Sequence, residues 1–420
     1  MGEIINFDFD STETSIIKVV GVGGAGCNAV NHMFREGIQG VTFLQCNTDA
    51  QVLKTSPVPL KVQLGVTLTG GRGAGNNPEQ GEQAAIENLE DLRKILEGTT
   101  KMLFITAGMG GGTGTGAAPV IAKLSKELDI LTIAVVTIPS PSEGKRRFDQ
   151  ALAGVEKMKE YIDSLLVVNN ENLHKIYGNL PASQAFKKAD DIIGTAVKGV
   201  SEIITLHGNI NIDFADVQTV MSGSNVFVMG TGISEGENRA MEAVTQALEY
   251  PLLDSSDING AKDILLNIIS GEDEVKMGEI GDVIERLQDK AGQEANIIWG
   301  NGVDKSLGDK IRVTIIATRF AKNPNHLLQK KLKAKKFELE SQYEGMNINL
   351  DEEDEERDNP NSVLYKKNTT YLGEKEQEQN KEGKNKREPA TKSKKESDET
   401  ENWFQRQFNR LFDDQDENME

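Results

Sequence analysis

The tract Gly108-Met109-Gly110-Gly111-Gly112-Thr113-Gly114-Thr115-Gly116 constrains the fold more than any other part of the chain. It follows an apolar, β-branched run, KMLFITA, and precedes the helix-like segment AAPVIAKL. Five glycines between Gly110 and Gly116 let backbone N–H groups approach an anion closely, and the helix that opens there adds its positive end. Thr113 and Thr115 can add hydroxyl donors. The tract therefore reads as a phosphate cradle. A second loop, Gly21-Val22-Gly23-Gly24-Ala25-Gly26, stands in the same strand–loop–helix context and satisfies G-x-G-x-x-G. With Asp49 at the end of the next strand, that loop also suits a dinucleotide-binding fold, so an NAD-type oxidoreductase competes on this motif alone. Two cradles in one sheet exceed what a dinucleotide requires. The chain has no G-x-x-x-x-G-K-[ST], so the P-loop lysine is not its way of holding a triphosphate.

Both cradles belong to a longer alternating pattern. From Ile16 to about Ile138, IIKVVGV, VTFLQCN, KMLFITAG and ILTIAVVTIP alternate with helix-like segments, which predicts a parallel sheet with crossover helices. A long, largely buried helix is expected from about Ser183 to Leu206, where Phe186, Ala189, Ile193, Val197, Val200 and Ile204 repeat at helical spacing. From Asp213 to Phe320 the pattern runs strand, helix, strand, helix and two strands (NVFVMGTGI, ENRAMEAVTQALEY, ILLNIISG, EIGDVIERLQDKA, ANIIWGNGV, KIRVTIIATRF). The expected class is α/β: a Rossmann-like parallel-sheet domain over 16–182, a central helix over 183–208, and a smaller C-terminal α/β domain over 209–322. Residues 1–15 are expected to form a flexible segment. Past about Lys330 apolar periodicity gives way to charge, including the block Asp351 to Glu356, so 323–399 is expected to be a disordered linker. Residues 400–420 regain apolar side chains at Phe404, Phe408, Leu411 and Phe412 on one helical face, which suggests a docking peptide. A solvated tail with scattered aromatics is the plainer alternative.

Charge and cysteine usage narrow the setting. A formal net charge of -19 repels phosphate backbones at long range, so nucleic acid is not an expected partner. Cys27 and Cys46 are the only cysteines and form no C-x-x-C or disulfide framework, which suits a reducing, cytoplasmic compartment. The acidic N-terminus lacks the basic and apolar regions of a signal peptide, and no apolar run reaches spanning length, so direct membrane insertion is not expected. Four dispersed histidines suggest no transition-metal site.

The stretch GMGGGTGTGAAP resembles the signature of the tubulin/FtsZ GTPase family, and VGVGGAGCNAV, CNTDAQ, GAGNNPE, SEGKRRF and NINIDFADV follow in that family's order and spacing. Residues 16 to 320 carry the resemblance. It implies a self-assembling GTPase of the bacterial division ring at midcell, binding GTP and GDP, with Mg²⁺ held chiefly through the phosphates. Residue by residue, it places Gly24, Ala25 and Asn28 beside phosphate and base, and Asn47 to Ala50 and Ala74 to Asn77 around the phosphates, with Asn47, Asp49, Ala74, Gly75 and Asn76 the chief contacts. Gly110, Gly111, Gly112, Thr113, Gly114, Thr115 and Gly116 would form the main cradle. Glu143 would meet the ribose, and Arg147 would meet ribose and phosphates. Four residues apart, these two would share one face if helical, so a simple surface ion pair is the other reading. By the same resemblance Asn170 touches the base and Phe186 stacks on it, although Phe186 also fits the apolar face of its helix. Asp191 would read guanine, and a carboxylate does accept from N1–H and the exocyclic amine. Asp190 departs from the family, which often has Asn there.

Asp213 and Asp216 read locally as a helix N-cap and a first-turn acid before VQTVM. The resemblance gives them a second role, in which a head-to-tail contact carries them into the neighbour's site to polarise the water that attacks the γ-phosphate, with Asn211 positioning it. A helix from Ser183 to Leu206 spans roughly 35 Å, too far for its two ends to meet within one subunit. The tail ends in WFQRQFNRLF rather than the family's usual Asp-Ile-Pro-x-Phe-Leu-like segment. Tethering to a membrane-anchored adaptor and to division regulators is nevertheless what the resemblance implies for it. An oxidoreductase and a GTP-binding scaffold without hydrolysis are the competing functions.

Overall fold

The computed structural model describes residues 15–205, 208–249, 257–321 and 324. Apart from Ser15 and Pro324, the N-terminal segment, the charged linker and the docking peptide with Phe404, Phe408, Leu411 and Phe412 lie outside the described residues.

Continuous apolar runs build the first sheet, because strands covered on both faces need no polar side. Its strands are β1 (Ile17–Val22), β2 (Thr42–Asn47), β3 (Leu60–Gln63), β4 (Met102–Gly108), β5 (Leu131–Ile138), β6 (Ser164–Asn169) and β7 (Asn225–Val226). They lie in the order β3-β2-β1-β4-β5-β6-β7, all parallel, with Val20 opposite both Leu44 and Ile105. The expectation of a parallel sheet holds, but β3, β6 and β7 extend it beyond the four runs singled out above. Successive side chains face opposite layers, as strand geometry requires: Val19 and Val135 join one core, Val20 and Val136 the other.

Helices cover both faces of this sheet. They are α1 (Gly23–Arg35), α2 (Ala50–Thr55), α3 (Val66–Thr69), α4 (Pro78–Glu87), α5 (Leu89–Leu96), α6 (Thr113–Glu127), α7 (Lys145–Lys159), α8 (Asn170–Tyr177), α9 (Ala182–Thr205) and α10 (Phe214–Met221). Buried residues of α4 to α7 pack on one face, and those of α1, α9 and α10 on the other. The long helix expected from Ser183 begins at Ala182 and is described to Thr205. Ala189, Ile193, Val197 and Val200 are buried as their spacing predicted, but Phe186 is 52% exposed. Residues 182–188 of α9 are exposed, Ala185 alone being half-buried, and periodicity cannot show where a partner surface stops.

The second sheet comprises β8 (Val228–Ser234), β9 (Ala261–Ser270), β10 (Asn296–Val303) and β11 (Ile311–Phe320), in the order β10-β9-β11-β8. β10 runs parallel to β9, and β11 runs antiparallel to β8 and β9. Helices α11 (Arg239–Leu248) and α12 (Met277–Ala291) complete this unit. The segment NVFVMGTGI was expected as one strand, but it serves two sheets. Asn225 and Val226 pair with β6, Phe227 is buried between, and Val228 begins the pairing with β11.

Candidate nucleotide site

Because the strands of the first sheet run one way, the loops after β1, β2, β4, β5 and β6 all emerge at its carboxyl edge. Chain order reverses between β1 and β4, which opens the crevice where parallel α/β sheets take ligands. The two glycine loops flank that crevice and touch each other. A Cβ built on Gly23 would lie 2.8 Å from the Gly114 nitrogen, and one on Gly112 would lie 2.9 Å from both the Asn77 nitrogen and the Ala74 Cβ. At Gly24 and Gly111 a Cβ would meet nothing within 4 Å. The first pair of glycines lets backbone pack on backbone, and the second leaves open space in front of amide groups. Gly110 adopts a φ of 100°, a left-handed value that glycine takes without strain, and its N–H donates to the Thr115 hydroxyl at 2.8 Å. The hydroxyls of Thr48 and Thr113 share a hydrogen bond of 2.7 Å and tie the β2 loop to the main cradle.

Two further loops close around the cradle. Asn47 is buried and accepts from the Asp49 N–H at 3.2 Å, and Asp49 caps α2 by accepting from Gln51 N–H at 2.8 Å. Arg72 bridges to Asp49 by backbone pairing. Ala74, Gly75 and Asn76 form a turn closed by the Asn77 N–H to the Ala74 carbonyl at 2.9 Å, with Gly75 and Asn76 at positive φ.

Glu143 and Arg147 do not share a helix. Glu143 ends a 3-10 turn, Pro141–Glu143, and Gly144, at a φ of 113°, separates it from α7. They nevertheless approach to 3.7 Å, a distance that holds a loose ion pair. The Glu143 carboxylate also accepts from Ser140 N–H at 3.0 Å and from the Asn170 amide at 3.1 Å, so it is fixed from β5 and β6 together. The Asn170 carbonyl oxygen, by contrast, is buried without a hydrogen-bond partner. A buried acceptor left unpaired costs free energy that a ligand's N–H recovers, so this atom fits a base-binding role. The Ser140 hydroxyl donates to Glu171, which holds that carboxyl below its usual range.

Asp191 lies in the third turn of α9, where one carboxylate oxygen is 2.9 Å from His32 Nε2 on α1 and the other 3.2 Å from the Lys188 ammonium. Its neighbour Asp190 is pushed up to about 7 by burial and, second, by the charge of Asp191. Phe186 stands exposed one turn before them. His32, Lys188 and Ser140 were not foreseen as site residues. The spacing of Gly24, Asn28 and His32 along α1 was the available signal for the first of these.

The acidic loop lies elsewhere. Asp213 caps α10, its Oδ1 accepting from Asp216 N–H at 2.9 Å, while Asp216 Oδ2 accepts from Asp213 N–H at 3.1 Å. The loop before it is fastened to β10 through Ile210 and Asn301, and Asn211 Oδ1 accepts from Gly208 N–H at 2.6 Å. The far end of α10 is bound to the start of β6: Ser164 donates to the Met221 carbonyl, and Asp163 accepts from Ser222 and Gly223. That start lies on the amino edge of the sheet, opposite the glycine loops. The structure thus gathers the expected glycine-loop residues with Glu143, Arg147 and Asn170 at one edge, ties Asp191 to them only along α1 through His32, and does not bring Asn211, Asp213 and Asp216 to them.

Residues 16–178 match the GTPase domain of the tubulin/FtsZ family, and residues 225–321 match the C-terminal domain of the FtsZ family. The chain is 47% identical over 321 residues to the cell division protein FtsZ of Porphyromonas gingivalis, covering 76% of this chain and 70% of that one. The chain belongs to the tubulin/FtsZ GTPase family. A second FtsZ, from Pseudomonas aeruginosa, is 48% identical over 307 residues, 73% of this chain and 77% of its own. Among solved structures, an FtsZ dimer of M. jannaschii superposes with a TM-score of 0.67 at 44% identity, covering 73% of this chain and 88% of that one. The GTPγS-bound protofilament of CetZ2 from Haloferax volcanii has a TM-score of 0.64 at 18% identity, covers 77% of this chain and 99% of its own, and shows the shared fold alone. As a tubulin/FtsZ protein the chain is a GTPase that binds GTP and GDP, which sets aside the oxidoreductase and the non-hydrolysing scaffold. Both cysteines are buried, and burial pushes both thiols up, Cys27 to about 12. Among the described residues no helix is long and apolar enough to cross a membrane.

Proposed function

We propose that this protein assembles head to tail into filaments and hydrolyses GTP at the junction between subunits, where the acidic loop of one completes the nucleotide site of the next. One observation carries the reading: the phosphate-binding loops occupy the carboxyl edge of the first sheet, whereas α10, capped by Asp213 and Asp216, is fastened to its amino edge. A six-residue strand such as β6 separates the edges by roughly 20 Å. Stacking one copy on another in the same orientation brings an acidic loop to each cradle. That contact is heterologous and does not need to close, so it propagates.

In this reading Gly24, Ala25 and Gly110 to Gly116 hold the phosphates through backbone N–H groups, with Asn47, Asp49 and Ala74 to Asn76 closing over them. Glu143 and Arg147 serve the ribose. Asn28, Asn170, Phe186 and Asp191 hold the guanine. The neighbour's Asp213 and Asp216 polarise the attacking water, and its Asn211 positions it. Phosphoryl transfer asks mainly for such positioning and electrostatic help. An Mg²⁺ would be held chiefly through phosphate oxygens. When bound, that ion would neutralise charge on the phosphates.

The activity would serve a cytoplasmic ring at midcell, and likeness to cell division proteins supports the division ring; the C-terminal peptide would reach a membrane-anchored adaptor and division regulators. GTPase rate per subunit measured against protein concentration tests the core of the proposal. A sharp threshold is expected. A rate per subunit that is constant down to concentrations without polymer would refute it.

A further inference from the structure

α1 starts in the first glycine loop and carries Gly24, Asn28 and His32 at four-residue steps, so the three share one helical face. That face runs for about 12 Å at 1.5 Å per residue. At its far end α1 meets α9 through the 2.9 Å contact from His32 Nε2 to Asp191 Oδ1. Lys188 approaches the other oxygen of Asp191 from within α9 itself. His32 keeps only 14% of its side chain exposed, against 46% for Lys188.

Guanine presents two adjacent donors, N1–H and the exocyclic amine, while hypoxanthine presents only the first. A carboxylate tells them apart only if both of its oxygens lie in the plane of the base edge. The second torsion of an aspartate side chain is intrinsically broad, so another group must set that plane. Lys188 is a point charge on a flexible stem and sets no plane. The imidazole of His32 is rigid, largely buried, and anchored on a different element. Each carboxylate oxygen has room for two donors, so the His32 contact leaves Oδ1 able to accept from a ligand as well.

We propose that His32 is a positioning residue for base recognition: by holding Oδ1 of Asp191 from α1, it fixes the carboxylate plane that distinguishes guanine from hypoxanthine. The inference rests on Asp191 reading the base, as proposed above. It links the phosphate loop to base selection through one helix.

The test is competition of GTP or ITP against a fluorescent GDP analogue on the full-length chain with Mg²⁺, in His32→Ala, His32→Gln and Asp191→Ala. The two nucleotides share every phosphate and ribose contact, so a damaged fold weakens both alike and leaves their ratio unchanged. His32→Ala should cut the preference for GTP over ITP roughly tenfold, the size of one well-aligned charge-assisted bond. His32→Gln keeps a donor at similar reach and should restore most of the preference. An unchanged ratio in His32→Ala, or an equal loss in His32→Gln, overturns the inference. If Asp191→Ala keeps the wild-type ratio, the base-reading assignment itself fails. If Asp191→Ala loses the ratio while His32→Ala keeps it, only the role of His32 fails.

Discussion

Replacing Asp213 with Asn separates its capping of α10 from the catalytic role proposed for it. Asp213 caps α10, and its reciprocal bonds with Asp216, at 2.9 and 3.1 Å, hold the acidic loop in shape. Asn caps a helix about as well as Asp, so Asp213→Asn should leave stability nearly unchanged, whereas Asp213→Ala should cost about 1 kcal/mol. Only the charge goes. If that charge polarises water in the neighbouring site, its loss should lower turnover on the order of 10² to 10⁴-fold. In barrier terms that is roughly 3 to 5 kcal/mol, several times the worth of the cap. Phosphate release should be followed above the assembly threshold, with urea unfolding run on the same samples. Titrating the variant into wild-type protein should depress the rate per wild-type subunit, because each variant subunit spoils the site of its neighbour. Turnover of Asp213→Asn within about twofold of wild type would defeat the reasoning, since the cap alone cannot account for more. Loss in Asp213→Ala with retention in Asp213→Asn would assign the effect to loop order instead of charge.

Gly112→Asp puts a side chain where a Cβ would lie 2.9 Å from the Ala74 Cβ and the Asn77 nitrogen, and it should abolish nucleotide binding in a titration; unchanged affinity would remove this loop from the site. Asp190 ionises only near pH 7 in the folded chain against 3.8 in the reference state, so the folded form holds the proton more tightly. Its contribution to stability is full below about pH 4 and is lost as pH rises towards 7; Asp190→Asn should flatten that part of a urea-unfolding profile, and parallel profiles would contradict it. Removal of the chain from Asn402 onward should leave polymerisation intact and abolish midcell localisation, and an unchanged ring would show the tail to be dispensable.

The glycine loops were legible because their chemistry is local: strand, glycines and helix start lie within a dozen residues, and the phosphate-facing groups are backbone. Asp213 and Asp216 were legible as a cap for the same reason. Contacts across the fold were not. Nothing near Asp191 in sequence announces His32, which reaches it only because α1 and α9 pack together. The exposure of Phe186 depends on where the neighbouring layer ends, and helical spacing carries no such information. The break at Gly144 that parts Glu143 from α7 turns on a single positive φ, which a count of four residues misses. The short β3 and β7 strands have too few residues for a pattern, and they exist because their neighbours offer unpaired edges.

The run from Asn225 to Ser234 has a mechanical side. Two residues pair with one sheet and seven with the other, and the buried Phe227 between them donates its own N–H to Leu165 of the first. A pull that tried to part the halves would have to strip main-chain bonds from a shared strand, and it would find no slack linker to extend. In the filament proposed above, tension would pass through each body and concentrate where one copy rests upon the next.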